Sequence, residues 1–146
     1  MEQIDITQHG RSISRIVIGD GLRLDRDFGA CLKAYRNVFV VADASVVQKS
    51  RVVAALQRDL EQKSVPVKLI EASETLKTMD TVLEISSWLL ENGADRDALV
   101  LAIGGGITTD MAGFAASIYK RGTLTNDEDI ITTSGGDTPM VDVFDW

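Results

Sequence analysis

The sequence contains few of the residues from which disulfides and metal sites are built. Its 146 residues include one cysteine, Cys31, and one histidine, His9, so an intramolecular disulfide is excluded. A zinc site needs three or four histidine, cysteine or carboxylate ligands at suitable spacing, and no such group is present in the sequence. We therefore expect no metal site in this chain and interpret His9 as a surface residue.

Positive charge and long apolar runs are also scarce. The 22 acidic and 15 basic residues give a net charge of −7, which disfavours non-specific binding to nucleic acid or to an anionic membrane. No apolar run approaches the ~18 residues that would span a bilayer. The N-terminal sequence also lacks the basic patch and apolar run of a signal peptide. These absences predict a cytoplasmic globular domain with neither a nucleic-acid nor a membrane partner.

The sequence does contain a pattern of buried strand, glycine turn and helix. Residues 99–103 are all apolar, three glycines follow at 104–106, and apolar side chains then recur at helical spacing over 108–120. Such a turn presents free backbone N–H groups and the positive end of a helix dipole to an anion, and glycine lets a phosphate approach closely. The alternative is a tight turn without a ligand. The alternating glycines of the dinucleotide fingerprint are absent.

Strand and helix patterns alternate along the rest of the chain. Residues 2–7 and 14–18 predict a hairpin with its turn at His9-Gly10. We predict further strands at 38–42 and 65–70, and helices over 46–63 and from the 71–77 loop to Asn92-Gly93. Repeated β/α units indicate a parallel α/β sheet with right-handed crossovers, whose ligands bind at the carboxyl ends of the strands.

Several finer expectations follow from the same periodicity. Ser45 is placed to cap the helix over 46–63. The residues expected on the buried face of the helix that ends at Asn92-Gly93 are Leu76, Met79, Leu83 and Leu90. The aromatic residues expected in the core are Trp88 and Phe114.

Four charged residues fall at the predicted carboxyl ends of the strands, and each has two interpretations. Asp43 would bind the hydroxyls of a ribose or stabilise a helix N-terminus. Glu74 and Lys77 would meet a ribose hydroxyl and a phosphate, or form an exposed i,i+3 ion pair. Asp110 would cap its own turn or face a ligand.

Three segments resemble the 3-dehydroquinate synthases, NAD-dependent sugar phosphate cyclases of the shikimate pathway. Val41-Ala42-Asp43 is similar to a strand-end nucleotide contact of the family, and residues 73–77 are similar to its Gly-Glu-x-x-Lys loop. The stretch from Leu101 to Gly122, with its closing Tyr-x-Arg-Gly, resembles the family signature almost from end to end.

The resemblance implies a Rossmann-like nucleotide-binding α/β domain over residues 1–122, without the helical C-terminal domain of the family. Gly105, Gly106, Ile107 and Asp110 would contact the pyrophosphate and nicotinamide side of NAD. Asp43, Glu74 and Lys77 would hold the adenosine side, and Arg121 would reach the phosphate of the substrate.

In the family, a heptulosonate 7-phosphate becomes 3-dehydroquinate through transient oxidation by NAD, elimination of phosphate, reduction and ring closure. A divalent metal, zinc or cobalt, assists in the full-length enzyme, and its ligands lie in the C-terminal domain. The resemblance thus implies a small-molecule substrate, NAD as cofactor and a homodimer. No catalytic residue is expected in this chain, which we predict to be inactive by itself.

After Gly122 the likeness ends. The Pro-Thr-Thr and Gly-Gly-Lys-Thr segments of the family have no equivalent at the right spacing, so residues 123–146 are interpreted as a divergent tail, truncated or shifted in reading frame. Two alternatives remain open. One is a fragment of a related sugar phosphate cyclase or of a glycerol-dehydrogenase-like oxidoreductase, and the other is a non-catalytic interaction domain with a vacant nucleotide site.

Overall fold

A computed structural model describes residues 2–18, 33, 35, 37–95, 97–119 and 140–143. The elements, in chain order, are β1 (Glu2–Gln8), β2 (Arg11–Ile18), β3 (Val38–Asp43), α1 (Ala44–Lys49), α2 (Arg51–Gln62), β4 (Val67–Ile70), a 3₁₀ turn (Glu74–Leu76), α3 (Met79–Glu91), β5 (Leu99–Ile103), α4 (Gly106–Ile118) and β6 (Met140–Val143). None of the helices in these ranges is long and apolar enough to cross a membrane.

The N-terminal hairpin forms where the sequence predicts it. β1 and β2 pair in antiparallel register from Glu2↔Ile18 to Gln8↔Arg11. Their two-residue turn is His9-Gly10, and both residues have positive φ, 51° and 78°. That backbone matches the right-handed twist of the paired strands, which is why a glycine is favoured at the second position.

The main sheet has four parallel strands in the order β4-β3-β5-β6. Alternate side chains of β3 face opposite layers, because successive residues of a strand point to opposite sides of the sheet. Val40 and Ala42 pack with α2, and Phe39 and Val41 pack with α3 and α4. The predicted parallel α/β, Rossmann-like fold is therefore confirmed, and both faces of the central strands are buried.

The fourth strand was not predicted. β6 lies within the segment interpreted as a divergent tail, and it pairs in parallel with β5 from Val100↔Met140 to Ile103↔Val143. The remainder of that segment, residues 123–139 and 144–146, lies outside the described residues.

The single helix expected over 46–63 is two helices. Ser50 interrupts it with extended backbone (φ −100°, ψ 117°), and its side chain accepts a hydrogen bond from the N–H of Val53 as the N-cap of α2. The expected cap of the first helix is also wrong, because Asp43 rather than Ser45 caps α1.

The expected buried face of α3 is wrong. Leu76, Met79, Leu83 and Leu90 are 40–63% exposed, whereas Val82, Ile85 and Leu89 form the buried face. Two apolar stripes lie side by side on this helix, and the sheet covers the stripe formed by Val82, Ile85 and Leu89.

Neither of the two aromatic residues expected in the core is fully buried. Trp88 is partly buried and packs edge-on against Phe39 with ring centroids 6.0 Å apart. Phe114 is 45% exposed on α4, so its assignment to the core is wrong.

Candidate functional site

The candidate site lies at the rim of the sheet, by which we mean the carboxyl ends of β3, β4 and β5 with the loops that follow them. Because β3 pairs with β4 and β5 in parallel, Asp43, the 71–77 loop and the glycine turn that leads into α4 all emerge at this rim. This is where ligands of parallel α/β sheets bind. The expected convergence of the three segments is confirmed by the topology.

Gly104 makes the turn from β5 into the site. Its φ of +156° is a conformation that side chains disfavour, and a Cβ there would lie 2.7 Å from Thr108 Oγ1 and 3.1 Å from Asp43 Cβ. The backbone of the turn therefore packs directly against the end of β3 and the first turn of α4, and only glycine fits.

The N-terminus of α4 is open to a ligand. Gly105 is its N-cap residue and supplies no side chain to cap the helix, and its carbonyl accepts a hydrogen bond from the N–H of Thr109 at 3.1 Å. A Cβ added at Gly105 or Gly106 would meet no atom within 4 Å. Gly105 and Gly106 are also exposed, so the start of the helix, with its positive dipole end, is accessible to a phosphate group.

Two threonines line the inner side of this first turn. Thr109 Oγ1 donates a hydrogen bond to the carbonyl of Gly106 at 3.1 Å. Thr108 is fully buried, and its Oγ1 has no hydrogen-bond partner among the described residues. Burying a hydroxyl without a hydrogen-bond partner lowers the stability of the folded state. The position of Thr108 Oγ1 beside the glycine turn is therefore destabilising.

Lys77 and Asp110 meet across the rim. The ammonium Nζ of Lys77 donates a hydrogen bond to Asp110 Oδ2 at 2.9 Å, and the two side chains are 40% and 62% exposed. This hydrogen bond, together with the attraction of the carboxylate, raises the pKa of Lys77 above its ordinary value of 10.5. The 71–77 loop and the glycine turn are therefore tied together by an ion pair that sequence spacing did not predict.

The alternative interpretation of Glu74 and Lys77, an ion pair within the loop, is wrong. Lys77 pairs with Asp110. Glu74 lies exposed in the 3₁₀ turn, where its backbone carbonyl accepts a hydrogen bond from the N–H of Lys77 at 3.3 Å.

Asp43 stabilises a helix N-terminus, which is one of the two roles that the sequence left open for it. It is 7% exposed, and its Oδ1 accepts hydrogen bonds from the backbone N–H and the hydroxyl of Ser45, both at 2.9 Å. One carboxylate oxygen therefore caps α1. For Oδ2 the structure gives no partner among the described residues.

The remaining predicted site residues have different surroundings. The side chain of Ile107 packs against the core, so only its backbone N–H belongs to the rim. Arg121 lies outside the described residues. Within the described part of the chain no group of three or more histidine, cysteine, aspartate or glutamate side chains could hold a metal ion, so these residues do not fit a metal.

Comparison with known proteins identifies relatives of this chain. Residues 67–134 match the family model of the 3-dehydroquinate synthase N-terminal domain. The 3-dehydroquinate synthase of Vibrio atlanticus (strain LGP32) is 34% identical over 129 residues, which cover 84% of this chain and 33% of that protein. The corresponding enzyme of Xanthomonas axonopodis pv. citri (strain 306) is 38% identical over 112 residues, covering 73% of this chain and 30% of its relative.

A solved structure is also similar to this chain. The 2-epi-5-epi-valiolone synthase ValA from Streptomyces hygroscopicus subsp. jinggangensis 5008, with NAD+ and Zn2+ bound, aligns with a TM-score of 0.53 and 28% identity over 82% of this chain and 40% of ValA. The matched stretch spans about a third of the length of each of these two synthases. These matches confirm the resemblance seen in the sequence: over most of its length, this chain is similar to the N-terminal part of the 3-dehydroquinate synthases.

Proposed function

We propose that this chain is the NAD-binding part of a 3-dehydroquinate synthase and that NAD binds at the rim. The observation that carries the proposal is the N-terminus of α4, which has no side-chain cap and where a Cβ at Gly105 or Gly106 would meet no atom within 4 Å. A pyrophosphate fits this position, because it accepts hydrogen bonds from free N–H groups and is attracted by the helix dipole.

Each end of the cofactor has candidate partners. The backbone of Gly105, Gly106 and Ile107 would hold the pyrophosphate. The adenosine side would extend toward β3 and β4, where the second carboxylate oxygen of Asp43 and the exposed carboxylate of Glu74 can accept hydrogen bonds from ribose hydroxyls. Carboxylates suit this task because, when ionised, they only accept hydrogen bonds.

The chain's own contribution to the reaction is binding and orientation. A bound nicotinamide supplies a reversible hydride acceptor. In the full-length synthase, Arg121 would bind the phosphate of the heptulosonate substrate, and the divalent metal would be held by residues beyond this chain. We expect the chain alone to release no phosphate from that substrate, because it spans about a third of the length of its relatives.

Two further expectations belong to the same proposal. A homodimer is supported by the exposed apolar face of α3 and the preceding turn, formed by Leu76, Met79, Leu83 and Leu90. The cytoplasmic location predicted from the sequence is in keeping with a chain that carries one cysteine.

Calorimetric titration with NAD tests the proposal when the wild-type chain is compared with Gly105→Val. Gly105 has a φ of −86°, which valine tolerates, and a Cβ there meets nothing within 4 Å. The variant should lose no more than about 1 kcal/mol of stability, because glycine is a better N-cap residue than valine. It should lose at least about tenfold in NAD affinity, since the new side chain fills the space of the pyrophosphate. Ala55→Val, at an exposed site on α2, is the matched control and should bind NAD normally. Unchanged NAD affinity in Gly105→Val would refute the placement.

A further inference from the structure

The main sheet ends at β4, and the outer edge of this strand is open. β4 pairs with β3, and among the described residues no strand lies on its other side. The N–H of Val40 donates to the carbonyl of Pro66, so the backbone groups of Pro66 and, two residues on, of Lys68 point toward β3. Because these groups alternate in direction along a strand, the N–H and C=O groups of Val67 and Leu69 point outward, where a further strand can pair with them.

A groove of about 460 Å³ lies beside this edge, between β4 and the flank of α3, and we call it the edge groove. Its lining includes Lys68 from β4 and Asp80, Leu83, Glu84, Trp88 and Glu91 from α3. Lys68 lies on the same side of the strand as Ile70, which packs with the buried face of α3. A strand added to β4 would therefore have the flank of α3 over one of its faces.

The edge groove is acidic. The carboxylates of Asp80, Glu84 and Glu91 outnumber the one ammonium, and the structure gives none of these charged groups a hydrogen-bond or ion-pair partner among the described residues. The three acidic residues are also exposed. Trp88 adds an aromatic ring, on which the stem or the charge of a lysine or arginine can pack. The edge groove thus complements basic side chains.

The same charges disfavour a second copy of this chain at the edge. A two-fold axis between two β4 strands would bring the acidic flanks of two α3 helices toward each other, and like charges across an interface oppose association. β4 is also only four residues long and follows Pro66, and edge strands avoid pairing with their own kind by such features. The charge of the edge groove therefore favours an occupant of opposite charge.

We propose that the edge groove binds an extended basic segment of another protein, which adds to β4 as a further strand and directs lysine or arginine side chains at the carboxylates of α3. Side chains alternate along a strand, so those on the other face of the segment would lie beside Leu69, which is 46% exposed. The segment therefore alternates basic and apolar residues. No residue that lines the edge groove is among those proposed to hold NAD, so this inference is independent of the proposed function.

Calorimetric titration with a capped peptide of four Lys-Val repeats tests the inference. The wild-type chain should bind one peptide saturably. A second peptide, in which proline replaces the two central valines, keeps the charge but cannot pair along β4, and it should bind at least about tenfold more weakly. Equal affinity for the two peptides would overturn the inference, because attraction between charges would then suffice without a strand. So would the absence of saturable heat at millimolar alternating peptide.

Charge reversal in the edge groove provides the matched pair of variants. Glu84→Lys should weaken binding of the alternating peptide by at least about tenfold. Glu61→Lys makes the same change at an exposed position of α2, which packs on the opposite face of the sheet, and should alter the affinity by less than about threefold. Equal affinities of the two variants would overturn the inference.

Leu69→Pro tests the pairing itself. It removes an outward N–H and leaves the hydrogen bonds to β3 in place, a position at which edge strands tolerate proline, so it should weaken peptide binding by at least about tenfold. Glu84→Lys keeps every backbone hydrogen bond and therefore decides the question even if Leu69→Pro unfolds. Sedimentation that changes from dimer in wild type to monomer in folded Leu69→Pro would show a second copy at this edge and overturn the inference.

Discussion

Replacing Gly104 with alanine should be the most damaging small substitution at the rim. The new methyl group would lie 2.7 Å from Thr108 Oγ1, 2.9 Å from Thr108 Cβ and 3.1 Å from Asp43 Cβ. Two of these are Cβ atoms, which are bonded directly to the backbone and cannot move without shifting the helix or the strand. The site therefore combines a steric clash with a backbone conformation that alanine disfavours.

The magnitude follows from both terms. A non-glycine residue in a disfavoured backbone region costs about 1–3 kcal/mol. Overpacking by one carbon costs about another 1–3 kcal/mol when the surroundings are rigid. We therefore expect Gly104→Ala to lower the free energy of unfolding by about 2–6 kcal/mol, a large part of the stability of a domain of this size.

Urea unfolding followed by circular dichroism measures this loss, with Gly105→Ala as the matched control. A Cβ at Gly105 meets no atom within 4 Å and its φ is −86°, so this variant should lose only the roughly 1 kcal/mol by which glycine is the better N-cap residue. Equal stability of the two alanine variants would refute the reasoning, because it would mean that the turn does not pack against α4 and β3 as described.

Three further predictions concern other parts of the molecule. Thr108→Val keeps the shape of a buried residue and removes a hydroxyl without a partner, so it should raise the free energy of unfolding by about 1 kcal/mol; a loss in urea unfolding would contradict this. Tyr119 donates a buried hydrogen bond to the carbonyl of Ala94 at 2.7 Å, and burial and then Asp95 raise its pKa above 10.0. The Tyr119 hydrogen bond therefore contributes fully to the free energy of unfolding below pH 10.0, and this contribution is lost as the pH rises through the higher folded-state pKa. Tyr119→Phe should lower the free energy of unfolding by about 1 kcal/mol at neutral pH and should reduce the loss of stability at alkaline pH in thermal melts. Leu83 is 51% exposed on α3, so Leu83→Glu should shift sedimentation toward monomer at unchanged stability, and an unaltered sedimentation profile would exclude this face as the site of self-association.

The local patterns of the sequence were sufficient for the fold around the site. β5, the glycine turn and α4 follow one another without a break, so a buried strand, a turn that needs glycine and a helix could be predicted from adjacent residues. The parallel arrangement followed from the alternation of strands and helices, and with it the meeting of three loops at one rim.

The errors arose where the outcome depends on distant contacts. α3 carries two apolar stripes, and only its crossover between β4 and β5 decides that Val82 rather than Leu83 faces the sheet. The break at Ser50 is hidden from periodicity because the apolar pattern continues across it. β6 is a four-residue strand in an acidic segment, and its pairing with β5 connects residues some 40 positions apart.

At the site itself, the sequence named the residues but not their partners. Asp43, Lys77 and Asp110 all lie at the predicted rim. That Lys77 would pair with Asp110 and not with Glu74 depends on how the loop after β4 lies against α4, which no short-range spacing encodes. Thr108 was missed because a threonine in a helical pattern gives no signal that its hydroxyl will be buried beside a glycine.

The central claim, that NAD binds over the N-terminus of α4, is tested most directly by following backbone amide resonances during an NAD titration of the ¹⁵N-labelled chain. The account predicts saturable shifts at Gly105, Gly106 and Ile107, the N–H groups that would hold the pyrophosphate. The resonance of Gly93, in the turn between α3 and the start of β5, should stay unchanged. Saturable shifts elsewhere with these three amides unmoved, or no shifts at millimolar NAD, would contradict it.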